Sequence, residues 1–294
     1  MAQLDPKVAE EMRRSAQAVK DRQAAGANFV RQWSLGGKNA AVEPGKTLIV
    51  RYLPQWTYKD KFIKQGEKRV PNPAYKPGPV YFRAIEHWWQ KDGKYVHEWC
   101  FQTFDPAAPC PVDAASVALA KSAASDDKEW AKKIRGKEIF LYNAVLGVRS
   151  GDKLLRRLDP QTGRADIRPM PCPGTVHVGV TSIMTGGDEP SQARGDITDP
   201  AEGFDVILTR PTGQGDRWTV MPAAQSSRLY MPDQSEAFQG WMYALTDLEE
   251  MVRKDTKTPL DLFRSFFGRD PKAGEMEAAA ASAKAPMTIS PGGS

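Results

Sequence analysis

Cysteine is scarce in this chain, with three in 294 residues. A sparse, odd-numbered set argues against a disulfide framework and for a reducing compartment. Histidine is equally rare, also three. No apolar run reaches the ~18 residues that a membrane-spanning helix needs, so no span is expected. The opening MAQLDPKVAEEMRRSAQ is charged and has no apolar core, which is not the pattern of a secretory signal. Enzyme signatures are missing too. SLGGKNA (34–40) lacks the first glycine of a GxxxxGK phosphate loop, and neither GxSxG nor HExxH occurs. His177 and Cys172 lie close in PCPGTVH without a base and its orienter, so His177 is expected to be structural. No catalytic residue is assigned.

The charge is unevenly distributed. The net +5 divides into 30 Lys/Arg against 19 Asp/Glu over residues 1–170, and 11 against 17 over 171–294. A basic first half suits a polyanionic partner or a solubilising surface.

Residues 5–25 read as a helix, with Asp5 as cap and Pro6 in the first turn. A β-rich body follows. Strand patterns cover 47–53, 79–89, 94–101, 137–148, 152–158, 175–184, 203–210 and 216–222, rich in Val, Ile and aromatics and separated by turn residues. Residues 116–134 read as one helix that interrupts them. Ser235 can cap a helix running to Asp255, and Thr258-Pro259 opens another that stops at Gly268. The expected organisation is a helical segment at 1–44, a core at 45–268 with an insertion at 87–135 and helices at 235–267, and a disordered tail at 269–294. The fold class is mainly β with flanking helices (α+β), arranged as a small barrel or sandwich.

HWWQKDGKYVHEWCFQTFDPAAPCPVD (87–113) concentrates two histidines and two cysteines. Asp92-Gly93 is a two-residue hairpin turn, which sets Lys91 opposite Lys94 and His87 opposite Glu98. Cys100 is then diagonal to His87 on one face, while His97 points to the other. Cys110 and Asp113 follow with a spacing that can wrap a tetrahedral ion. The candidate metal set is His87, Cys100, Cys110 and Asp113. A zinc site, the remains of one, and a hairpin with two buried free thiols all fit this spacing.

The order His-x₁₂-Cys-x₉-Cys-P-V-x resembles the zinc motif of the T-even bacteriophage single-stranded DNA-binding (helix-destabilising) proteins. LIVRYLPQ (48–55), KDGKYVHEWC, FLYNAVLGV (140–148) and the stretch from EGFDVILTR through GDRW are similar to successive parts of that family, colinear over about 45–265. Asp113 stands where the family has a third cysteine. The resemblance implies an OB-fold barrel with an inserted zinc subdomain beside a DNA cleft, one structural Zn²⁺, and no catalysis. It implies cooperative coating of single-stranded DNA through self-association of an N-terminal segment. It also implies phage replication and recombination proteins as partners, in the cytoplasm of an infected bacterial host. The family's tail is acidic, whereas here the residues after Gly268 carry three charges of each sign, which puts tail-mediated recruitment in doubt.

Sequence-tolerant single-strand binding needs a basic groove and aromatics on which bases stack. KKIRGKEIFLYN sets Lys132, Lys133, Arg135 and Lys137 before Phe140 and Tyr142. Arg51 and Arg83, inside strands, are expected to need a solvated or ligand-facing side. Phe104 lies in the cysteine loop, and Arg217 adjoins Trp218. The resemblance sets Phe140 and Trp218 on aromatic DNA-contact positions; Tyr142 and Phe104 follow from composition and neighbourhood. An RNA-binding OB-fold protein and a protein-interaction scaffold are the alternatives.

Overall fold

A computed structural model describes residues 34–35, 40–65, 68–76, 78–150, 153–160, 163–200, 202–213, 217–229 and 244–276. The helix expected at 5–25, the start of the one expected from Ser235, and most of the tail fall outside these residues.

The β-branched and aromatic runs become an antiparallel sheet. Its strands are β1 (Thr47–Leu53), β4 (Tyr81–Lys91), β5 (Lys94–Trp99) and β6 (Lys137–Ser150), joined by β7 (Lys153–Arg156), β8 (Arg168–Pro173), β9 (Phe204–Thr209) and β10 (Thr219–Ser226). The hydrogen-bonded order is β10-β9-β1-β6-β4-β5, with β7 and β8 also paired to β6. A separate hairpin joins β2 (Phe62–Gln65) to β3 (Lys68–Pro71).

β6 organises the sheet. Its 14 residues meet β4 over Lys137–Tyr142 and β1 over Asn143–Gly147 along one edge. Its other edge meets β8 over Ile139–Ala144 and β7 over Gly147–Ser150. Alternate residues Tyr142, Ala144 and Leu146 enter the main core with Val50, Tyr52, Met170, Val206 and Leu208.

Five α-helices accompany the sheet among the described residues: α1 (Pro111–Ala120), α2 (Ser125–Ile134), α3 (Gly174–Thr185), α4 (Leu248–Asp255) and α5 (Pro259–Phe267). The single helix expected at 116–134 is two, and Ser116 Oγ ties them by donating to the Ala131 carbonyl at 2.8 Å. α5 starts and stops as its cap residues predict, with Thr258 accepting from the Asp261 amide and Gly268 at the end. α4 takes its cap from Asp247, which accepts from the Glu250 amide.

Residues 175–184 are a correction, because the expected strand is helix α3. The alternation in TVHVGV imitates a strand, yet Val176, Val180 and Ile183 recur at helical spacing and are the buried ones. Gly179 lets α3 lie close to β10, since a Cβ there would fall 2.6 Å from Val220 Cβ. The segment covers one face of the sheet, with Val176, Val180 and Ile183 in the main core. The expected barrel changes as well. The ends of the strand order, β10 and β5, do not pair with each other, so the sheet is open rather than a closed barrel. The mixed α+β class holds. Among the described residues no helix is long and apolar enough to cross a membrane.

A candidate metal centre beside a basic saddle

The β4–β5 hairpin has the register that Asp-Gly predicts. Asp92 (φ 50°) and Gly93 (φ 74°) both adopt the left-handed backbone of a two-residue turn. Lys91 pairs with Lys94 and His87 with Glu98. His87 therefore shares a face with Cys100, just past β5. His97 lies on the other face, 3.1 Å from Glu86 through Nε2 and against Trp88 and Trp99.

Cys110 precedes Pro111 at the start of α1. His87, Cys100 and Cys110 are fully buried, and their ligand atoms all lie within 4.8 Å of one another. His87 Nε2 is 3.3 Å from Cys110 Sγ. Its Nδ1 is 2.9 Å from the Ile134 carbonyl oxygen, which can only accept, so Nδ1 carries the proton. In the neutral ring, the form that binds a metal, the Nε2 lone pair is thereby aimed at the sulfurs, the arrangement in which a backbone carbonyl orients a metal-binding histidine. The Cys100 thiol alongside and burial push the Cys110 thiol up, against the opposing influence of His87. A cation would have to displace that proton. These three residues can hold a metal ion.

Asp113 is engaged differently from the expected fourth ligand. It is not a member of the group within 4.8 Å. Its Oδ1 accepts from the Gly136 amide at 2.8 Å. Gly136 is closely packed: a Cβ there would sit 3.1 Å from His87 Cε1 and from Ile85 Cγ2, and 3.2 Å from Asp113 Oδ2. His87 and Asp113 thus grip the turn between α2 and β6 at two successive points, Ile134 and Gly136. That turn and its flanks carry Lys132, Lys133, Arg135 and Lys137, all exposed.

The face of β4 that holds His87 also holds Tyr81, Arg83 and Ile85. Across the strand boundary Arg83 pairs with Phe140 and Tyr81 with Tyr142. The His87 end of this face lies under α1 and α2. The Tyr142 end lies under α3. Between them is a saddle floored by Arg83, Glu138 and Phe140. Arg83 is exposed and ion-paired with Glu138. Phe140 is half-buried and stacked face to face on His177, with centroids 3.6 Å apart and planes 1° apart. Tyr81 meets the same imidazole edge-on at 4.5 Å. Tyr81 also borders a cleft of about 450 Å³ lined with Trp56, Phe82, Asp247 and Arg253.

Several expected contact residues lie elsewhere. Arg51 is a correction: it is completely buried. It donates to the Asp199 carbonyl at 2.7 Å and to Ser227, beside Asp205 at 3.9 Å, which Arg156 also contacts at 2.8 Å. A charge inside a strand needs a partner, and here the partner is internal. Burial pulls the Arg51 guanidinium down to about 10, against the pull of Asp205. Tyr142 is a second correction, at 1% exposed; its hydroxyl meets His177 Nδ1 at 2.7 Å and leaves no ring face open for a base. Phe104 is half-buried, packed on Phe82 and under the Arg253 guanidinium, on the opposite face of β4 from Arg83. Trp218 is half-buried against the main core and Arg217 is exposed.

His177, expected to be structural and in a strand, lies instead on a helix laid over β6, where it meets three aromatic rings. No protein-family model matches the chain, and no curated protein matches it either.

Proposed function

We propose that this protein binds single-stranded DNA without sequence preference and without catalysis. The observation that carries the reading is the saddle. Arg83 flanks a half-buried aromatic stack of Phe140 and His177, and the exposed Lys132, Lys133 and Arg135 sit on the turn that leads into the strand carrying Phe140, with Lys137 at the strand's start on its other face. Phosphate neutralisation supplies affinity, and partly exposed rings supply sequence-tolerant stacking. The open antiparallel sheet serves as an OB-type platform, and Arg217 with Trp218 extends the contact along its far end.

The cation at His87, Cys100 and Cys110 is zinc in this reading, because a mixed imidazole and thiolate set suits it. Solvent or the Asp113 carboxylate completes the fourth position. Zinc contributes folding energy and fixes the turn that carries the basic run. Self-association through residues 1–44 gives cooperative coating, in an infected bacterial cytoplasm where replication and recombination proteins work on the coated strand.

Eight tryptophans give the test a direct signal. Titration with poly-dT at low salt should quench their fluorescence, and the affinity should fall steeply with added salt. Duplex DNA of equal length should bind far more weakly, and matched RNA serves as the competitor. Equal affinity for poly-dT and duplex, or no binding at low salt, overturns the proposal.

A further inference from the structure

The saddle holds a side chain whose arrangement goes beyond the charge-and-stacking account. His177 Nδ1 lies 2.7 Å from the Tyr142 hydroxyl. That hydroxyl is inside the fold, and no other acceptor for its proton is found among the described residues. Burial pushes the Tyr142 phenol up, so it keeps its proton and donates to Nδ1. The neutral imidazole must then carry its own hydrogen on Nε2. Among the described residues Nε2 has no hydrogen-bond partner, and it is not one of the buried polar atoms left without one, so it reaches solvent. The ring cannot turn away, because one face is stacked on Phe140 and Tyr81 holds an edge. Arg83, cross-strand partner of Phe140, puts a cation beside the same stack.

A fixed aromatic ring with one outward N–H, next to an arginine, is a donor waiting for an oxygen. We infer that His177 is a contact residue of the saddle, donating from Nε2 to a phosphate oxygen of a bound single strand while Phe140 holds its plane and Tyr142 its tautomer. Tyr142, buried and unable to stack on a base, acts as a positioning residue. The inference rests on the single-strand reading above and adds to it a specific, uncharged hydrogen bond.

The test uses the full chain. Nitrogen-15 imidazole spectra of the free protein should show the His177 proton on Nε2, and Tyr142→Phe should release that preference while leaving the fold's melting temperature close to wild type. Addition of oligo-dT should move the His177 Nε2 resonance. His177→Ala should weaken oligo-dT binding about ten- to a hundredfold, the worth of one hydrogen bond to a charged group. His177→Gln, which keeps an N–H near Nε2, should recover part of the loss. The slope of affinity against salt should stay the same in both variants, because no cation is removed. A His177→Ala protein that is folded and binds oligo-dT as tightly as wild type overturns the contact alone. A proton found on Nδ1 in the free protein overturns the tautomer argument and the contact with it. Wild-type protein that fails to bind oligo-dT overturns the single-strand reading first, and is distinguished from the other outcomes by that failure.

Discussion

The Nδ1 of His87 donates to the carbonyl oxygen of Ile134 at 2.9 Å, so the last residue of α2 is fastened to the same side chain whose Nε2 faces Cys110. Metal binding and the placement of the basic turn are therefore linked through one imidazole. Loss of the ring removes a ligand and the anchor of the turn together.

The ligand set can be separated by content and by stability. Cys100→Ser and His87→Ala should both lose bound metal, and both should lower the melting temperature, since a structural ion adds its binding energy to folding. Asp113→Asn should keep the metal, because Asp113 lies outside the group formed by the other three. Elemental analysis of protein purified without chelator or affinity metal reads the outcome. Asp113→Asn protein stripped of metal would make the carboxylate a ligand after all.

Gly136 offers a purely steric test. Gly136→Ala puts a methyl group against His87, Ile85 and Asp113 at 3.1–3.2 Å. Overpacking of this kind costs about 1–3 kcal/mol. Denaturant unfolding of metal-loaded protein should show a lower midpoint with an unchanged slope.

The basic turn should report through salt. Joint replacement of Lys132, Lys133, Arg135 and Lys137 by Ala should reduce the salt slope of single-strand binding by as much as about 3, since each phosphate contact contributes about 0.7. Arg51→Met should leave that slope alone. It removes an internal partner of Asp205 and should instead cost stability, on the order of 3–5 kcal/mol for breaking a buried pair. Fluorescence titration at several salt concentrations, beside urea melts, separates the two.

Acid should weaken the fold partly through His177. Burial holds its pKa below the usual 6.5, against a smaller upward pull from Glu138. The unfolded chain therefore takes up the proton first as pH falls. The stabilisation from the neutral ring is complete above about pH 6.5 and is lost progressively below it. Melting temperatures should drop between pH 7.5 and 5.5, and His177→Gln should make that drop smaller.

Local signals carried the hairpin well. Asp-Gly and period-two alternation fix the pairing of His87 with Glu98, and with it the choice of His87 over His97, from eleven consecutive residues on one strand and a tight turn. They could not carry α3. TVHVGV alternates as a strand does, and the helical period shows only in which residues are buried, Val176, Val180 and Ile183. Arg51 looked like a groove cation because its partners, Asp199, Asp205 and Ser227, lie far along the chain. His177 was unreadable for the same reason, since its meaning depends on rings brought in by β4 and β6. The short strands β2, β3 and β8 carry no such local signal, because proline and charged residues interrupt them.

The grip on Gly136 lies one residue before the start of β6, the strand whose edges set the pairing of β1, β4, β7 and β8. A slip of β6 by one position would exchange its two faces, sending Ile139 and Leu141 where Phe140 and Tyr142 now stand. With Gly136 tied to Asp113 and Ile134 to His87, that slip would have to tear both ties. The small buried cluster thus acts as an index pin, and four neighbouring strands take their alignment from a strand whose entry it holds in place.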